Sequence, residues 1–193
     1  MSNVIFTYNE ESALSAGMGG FINENGAYVF TITEAELKQN SENSAKWIEF
    51  SGEADDGRKV QYLSVYSVKK DGTPNTFGVN MINAMMGCAG INSLTQYMAS
   101  AGKYVAPEFA GKRIGLVLQK VLRSKRDGSD TYGMEIRMPF IAETRQTLQE
   151  RKDGTKPEIV DKTAASLKDR DNRNKSGSQQ SGASHYEYEG NDF

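Results

Sequence analysis

The chain has 193 residues, 37% of them apolar, which is room for one ordinary domain and an extension; with no cationic-then-apolar leader or long apolar run, a cytoplasmic and non-membrane protein is expected. Cys88 and His185 each stand alone, which excludes an internal disulfide, Cys/His zinc sites and a Ser-His-Asp arrangement in the folded part. The net charge of −2 hides an asymmetry: residues 1–60 hold ten acids against four bases, residues 61–140 ten bases against five acids, and the last eighteen residues three acids and no Lys or Arg.

Residues 1–25 are mixed in character, and Gly17, Gly19 and Gly20 mark loop. After the Asn25-Gly26 turn, Tyr28, Phe30 and Ile32 alternate with Val29, Thr31 and Thr33, the period of a half-buried strand. A polar loop over 38–44 leads to a second strand over 46–53, with Ile48 and Phe50 on one face and Trp47, Glu49 and Ser51 on the other. Asp55-Asp56-Gly57 spells a hairpin turn. A third strand over 58–70 sets Leu63 and Val65 opposite Tyr62 and Tyr66 and closes at Asp71-Gly72.

The period then becomes helical. Thr73-Pro74 offers an N-cap and a first-turn proline, Phe77, Met81, Ile82, Met85 and Met86 recur on one face, and Gly87 suits the stop. A second short helix is expected over 93–101, with Leu94, Tyr97 and Met98 inward and Gly102 ending it. Strand alternation returns at Lys112, with Ile114, Leu116 and Leu118 inward and Arg113, Val117 and Gln119 outward. After a polar connection at Arg126-Asp127-Gly128, a fifth strand over 132–141 sets Met134, Ile136, Met138 and Phe140 opposite Glu135 and Arg137, and Pro139 suits an edge position. Residues 142–151 read as one more helix.

Three strands, a helical insert and two strands is the order of an OB-fold, a five-stranded Greek-key barrel. The expected class is therefore mainly β, a five-stranded OB-fold-like barrel over residues 1–151, followed by a disordered linker and acidic tip over 152–193. Lys, Asp, Asn, Ser, Gly and Gln dominate that last segment and leave too little apolar surface to offset ordering entropy.

A single-strand binder needs exposed aromatic faces for bases and cations for phosphates. Alternation puts Trp47, Tyr62 and Tyr66 opposite the core set of strands two and three, the usual binding face of this architecture. Lys46, Lys69 and Lys70 lie at the ends of those strands. Arg113, Arg123 and Arg137 take outward positions on strands four and five, and Arg123, Lys125 and Arg126 cluster in their connection. The methionines of the helix read as packing rather than ligand surface. Glu53, Asp55 and Asp56 read as a turn, not a metal site, and Gly17-Met18-Gly19-Gly20 fits neither a P-loop nor a dinucleotide fingerprint. No catalytic residue, metal or cofactor is expected, and the chain reads as a binder rather than an enzyme.

The tip places Glu187, Tyr188, Glu189 and Asp192 before a terminal Phe193. An anionic segment with an aromatic end suits a basic groove with an apolar pocket on a protein partner. Strand order, basic sheet face and this tip together resemble bacterial and bacteriophage single-stranded-DNA-binding proteins. Gly26-Ala27-Tyr28-Val29-Phe30-Thr31-Ile32 through Gly72 also resembles a phage replication and recombination module of that kind. The resemblance covers roughly residues 20–145 and the tip; the tip lacks the dense Asp run and the proline before phenylalanine usual in bacterial members. It implies coating of exposed single-stranded DNA during replication, recombination or repair, in the host cytoplasm for a phage protein, with the tip recruiting partner proteins. RNA is left open as a ligand because stacking does not read the 2′-hydroxyl; so are a homo-oligomeric state and a non-catalytic protein-interaction role for the same barrel.

Overall fold

The alternation of the first strand breaks at Thr33 for a structural reason. In the computed structural model, which describes residues 7–8 and 20–173, β1 (Gly26–Gln39) continues well past that point. Ile32 faces Gly52 and Glu34 faces Ser51, so Thr33 is an extra residue, a β-bulge that shifts the buried set from Phe30 and Ile32 to Ala35. The bend lets one strand serve two partners. Residues 26–31 pair with β6 (Arg113–Ser124), and residues 30–39 pair with β2 (Lys46–Ala54), both antiparallel.

Each partner opens a hairpin. β2 returns as β3 (Lys59–Val68) through Asp55-Asp56-Gly57, where Gly57 takes φ +80° and Asp56 accepts from the Arg58 N–H. β6 returns as β7 (Asp130–Phe140), an edge strand that tolerates Pro139. These are the five expected strands in the expected order. The segment expected as a second helix is instead a hairpin of β4 (Tyr97–Ser100) and β5 (Lys103–Val105), with β5 added to the edge of β1. Tyr97 and Met98 are exposed rather than inward, and Gly102 at φ +77° serves a turn rather than a helix end. With β8 (Arg170–Asp171) parallel to β6, the described residues form one open, mainly antiparallel sheet with three α-helices. β3 and β7 lie side by side, but among the described residues no ladder joins them.

α1 (Thr76–Ala89) packs Met81, Ile82 and Met85 into the main core. Its N-cap is Asn75 rather than Thr73, which is instead held by the Asp71 carboxylate. The helix also runs through Gly87 and ends at Gly90, φ +68°. Gly87 serves packing: a Cβ there would lie 2.7 Å from Leu148 Cδ1.

Two expectations for the last strands are corrected. Val117 faces Met138 and Leu118 faces Ile136, so Arg137 is a bulge, and Met138 and Phe140 point away from Met134 and Ile136. They join Val117, expected outward, in a second small core closed by Val160. That closure comes from residues expected as linker: α3 (Ile159–Ser166) packs across the outer face of β1 and β6 and β8 pairs with β6, while α2 (Leu148–Asp153) sets Leu148 against α1 and the main core. Regular elements thus run to Asp171, past the expected boundary at Arg151. The tip over 186–193 lies outside the described residues.

Buried Glu150 ties this wrap together. One carboxylate oxygen accepts from the Thr147 N–H and hydroxyl in a capping box, the other from the N–H groups of Glu158 and Ile159 at the start of α3. Burial opposes its ionisation, but these donors outweigh burial and hold the carboxyl down from 4.5 to about 2. A depressed carboxylate pKa stabilises the fold above the unfolded value, and the stabilisation fades as pH falls from about 4.5 towards 2. Glu150→Gln turns one acceptor into a donor facing two N–H groups; it should cost about 2–4 kcal/mol in urea unfolding at neutral pH and flatten the loss of stability below pH 4.5. Gly115 lies directly under Phe140, whose Cε2 would be 2.1 Å from an added Cβ. Gly115→Ala is therefore expected to lower stability by about 3 kcal/mol in the same assay.

Candidate nucleic-acid interface

The gap between β3 and β7 is a groove of about 330 Å³. Val65, Met81 and Ile136 form its apolar floor. Asn40, Glu42 and Asn43 of the β1–β2 loop stand on one side, and Arg126 of the β6–β7 turn and the first turn of α1 complete the rim. Trp47 and Tyr66 form its aromatic wall. They sit directly opposite each other on β2 and β3, with ring centroids 5.2 Å apart and planes tilted by 30°. Both are half-buried, so each keeps part of its ring surface accessible. Burial pushes the Tyr66 phenol up; Glu49 adds to the shift and Arg123 opposes it, so the ring is a neutral face at physiological pH.

Loop chemistry aims the polar rim. Asn40 Oδ1 accepts from the N–H groups of Glu42 and Asn43, Asn43 Oδ1 from Ala45, and Asn75 Oδ1 from Gly78. With each oxygen committed, the amide that remains is a donor. Lys69 and Lys70 follow β3 in a turn closed by Gly72 at φ +86°. Among the described residues no carboxylate holds Lys69, Lys70 or Arg126 in an ion pair, so their charge faces the groove and solvent.

The expected site residues therefore divide. Trp47, Tyr66, Lys69, Lys70 and Arg126 come together in the groove, with exposed Lys46 beside Trp47 and exposed Lys125 beside Arg126. Arg123 lies near the rim but is engaged: it pairs with Glu135 at 3.0 Å and lies over Gly133, and Glu135 also binds Arg170 at 2.6 Å. Arg137 is exposed at the β7 bulge. Arg113 is not brought to the groove. It holds Asp55 through two hydrogen bonds of 3.0 and 2.9 Å at the β2–β3 turn, the far end of β2 from Trp47. Tyr62 is outside the groove and exposed, with φ +62°. Glu187, Tyr188, Glu189, Asp192 and Phe193 lie outside the described residues.

Phe77, which the helical spacing sets on one face with Met81 and Met85, is 42% exposed and lines the groove. The signal was the cap: with Asn75 as N-cap, Phe77 falls in the first turn, where the face common to Met81 and Met85 has not yet reached the core. Its placement depends on Gly78. A Cβ at Gly78 would lie 1.7 Å from the carbonyl oxygen of Tyr66, so only glycine lets the first turn rest against β3.

No protein-family model matches this chain, and no curated protein sequence matches it.

Because the atom that Gly78 must avoid is backbone, Gly78→Ala should force α1 away from Tyr66 and cost about 3 kcal/mol in urea unfolding. Phe77→Ala, at an exposed position one residue away, should cost clearly less in the same assay.

Proposed function

We propose that this protein binds single-stranded DNA without sequence preference, bases stacking on Trp47 and Tyr66 and phosphates lying along Lys69, Lys70 and Arg126. The observation that carries the reading is the cross-strand Trp47–Tyr66 pair set in a groove lined by Lys69, Lys70 and Arg126, none of which forms a salt bridge among the described residues. Stacking contributes roughly 1–3 kcal/mol per base and accepts any base, because every base offers a π face. The donor-rich rim suits phosphate oxygens and base carbonyls alike.

The fold is consistent with an OB-fold whose last seam is left open. β6 returns to pair with β1 after the helix, as the fourth strand of that Greek key does, and the groove is flanked by the β1–β2 and β6–β7 connections that bind oligonucleotides in this architecture. Together with the resemblance of the sequence to bacterial and phage single-stranded-DNA-binding proteins, this supports a non-catalytic role in coating exposed strands during replication, recombination or repair. The acidic tip ending in Phe193 is proposed to recruit partner proteins from that coat.

Trp47 is the chain's single tryptophan, so its fluorescence reports on the groove alone. Titration with oligo-dT should quench it, and duplex DNA should not. The affinity should fall with added salt at a log–log slope near −2, as about three phosphate contacts require. Trp47→Ala should weaken binding, followed by anisotropy of a labelled oligonucleotide, by roughly tenfold or more. An absence of binding at low salt would overturn the reading in favour of a protein-interaction module.

A further inference from the structure

Tyr62 is held in a conformation that its own chain does not reward. Phe50 faces Leu63 while Gly52 faces Val60, so Gln61 and Tyr62 together oppose Ser51 in a β-bulge. Tyr62 takes φ +62°, which glycine adopts freely and a bulky side chain only under strain. Core packing does not offset that strain, because the ring is 71% exposed. Strain of this kind at an exposed side chain marks a position where the ring serves something outside the chain.

The surroundings indicate what that is. Leu63 and Val65 are buried, so Tyr62, Ser64 and Tyr66 stand on the outer side of β3, with Tyr62 about 13 Å along the strand from Tyr66. Across the sheet the same outer face is filled by ion pairs. Glu34 and Glu36 on β1 are held by Lys103 and Lys38, each at 2.7 Å, and Glu49 and Glu53 on β2 lie 3.9 Å from Lys38 and Lys59. A polyanion leaving the groove finds the cations of β1 and β2 already engaged, whereas β3 offers a further exposed aromatic ring in Tyr62.

Resting on the groove reading above, we propose that the bound single strand runs lengthwise along β3 and that Tyr62 is a second stacking platform for a base beyond the groove. The test is an oligo-dT length series against Tyr62→Gly, Tyr62→Phe and Trp47→Ala, with thermal melting of each variant. Tyr62→Gly should melt at or above the wild-type temperature, because glycine relaxes the bulge. It should bind the shortest oligonucleotides like the wild type and lose roughly tenfold in affinity for long ones. Tyr62→Phe should keep full affinity at every length, as stacking needs the ring and not the hydroxyl. If Tyr62→Gly binds long oligo-dT as tightly as the wild type while Trp47→Ala weakens it, the second platform is overturned and the groove stands. If neither substitution changes binding, the groove reading itself has failed.

Discussion

The architecture depends on one strand being hydrogen-bonded along both edges. β1 meets β6 along its first half and β2 along its second, and only the extra residue at Thr33 lets a continuous strand turn between the two. Each partner carries a hairpin, so the bend in β1 sets the relation between the β2–β3 ladder and the β6–β7 ladder. Their outer strands, β3 and β7, are carried round towards each other and stop short of pairing. The groove is the space that remains. Its depth follows from the apolar side chains that a closed ladder would have hidden, Val65 and Ile136 with Met81 below them.

The period-two alternation was enough to find every long strand and to orient β2, because nothing interrupts the pleat of β2 between Trp47 and Ala54 except at its partner. It failed wherever a bulge reversed the phase. The bulge at Thr33 breaks the alternation of β1 midway, and the bulge at Arg137 inverts the faces of Met138 and Phe140. A bulge is a property of two paired strands, and a single strand's pattern carries no record of where its partner gains or loses a residue. The hairpin of β4 and β5 was read as a helix for a related reason: Leu94, Tyr97 and Met98 have helical spacing, but only Leu94 reaches the core. Residues 152–173 are too polar to suggest packing, and the second core is closed from that segment by Val160 with half-buried Ala164 and Leu167.

The candidate site was legible in its chemistry and not in its boundary. Alternation sets Trp47 and Tyr66 on the sides of their strands away from the core, but that they face each other follows from the bulge at Gln61 and Tyr62, which shifts the hairpin register by one residue. The cations were read as one basic set, yet the fold uses them in two ways. Arg113 and Arg123 are matched by Asp55 and Glu135 and shape the sheet, whereas Lys69, Lys70 and Arg126 stand at the groove. What separates them is the position of an acid distant in sequence, which local composition does not carry. Phe77 and the three asparagines were missed because their roles come from a cap and from loop turns, where the oxygen is consumed locally and the donor is what is presented.

The C-terminal wrap also has a mechanical meaning. Its last hold is short: β8 pairs two residues with β6, Asn172 donates to Leu122, and Arg173 reaches Asp130 at the base of the β6–β7 turn. These bonds fall on the last residues of β6 and the first of β7, the two strands that lead into the turn carrying Arg126. The mouth of the groove is thus braced from the C-terminal wrap as well as from the sheet.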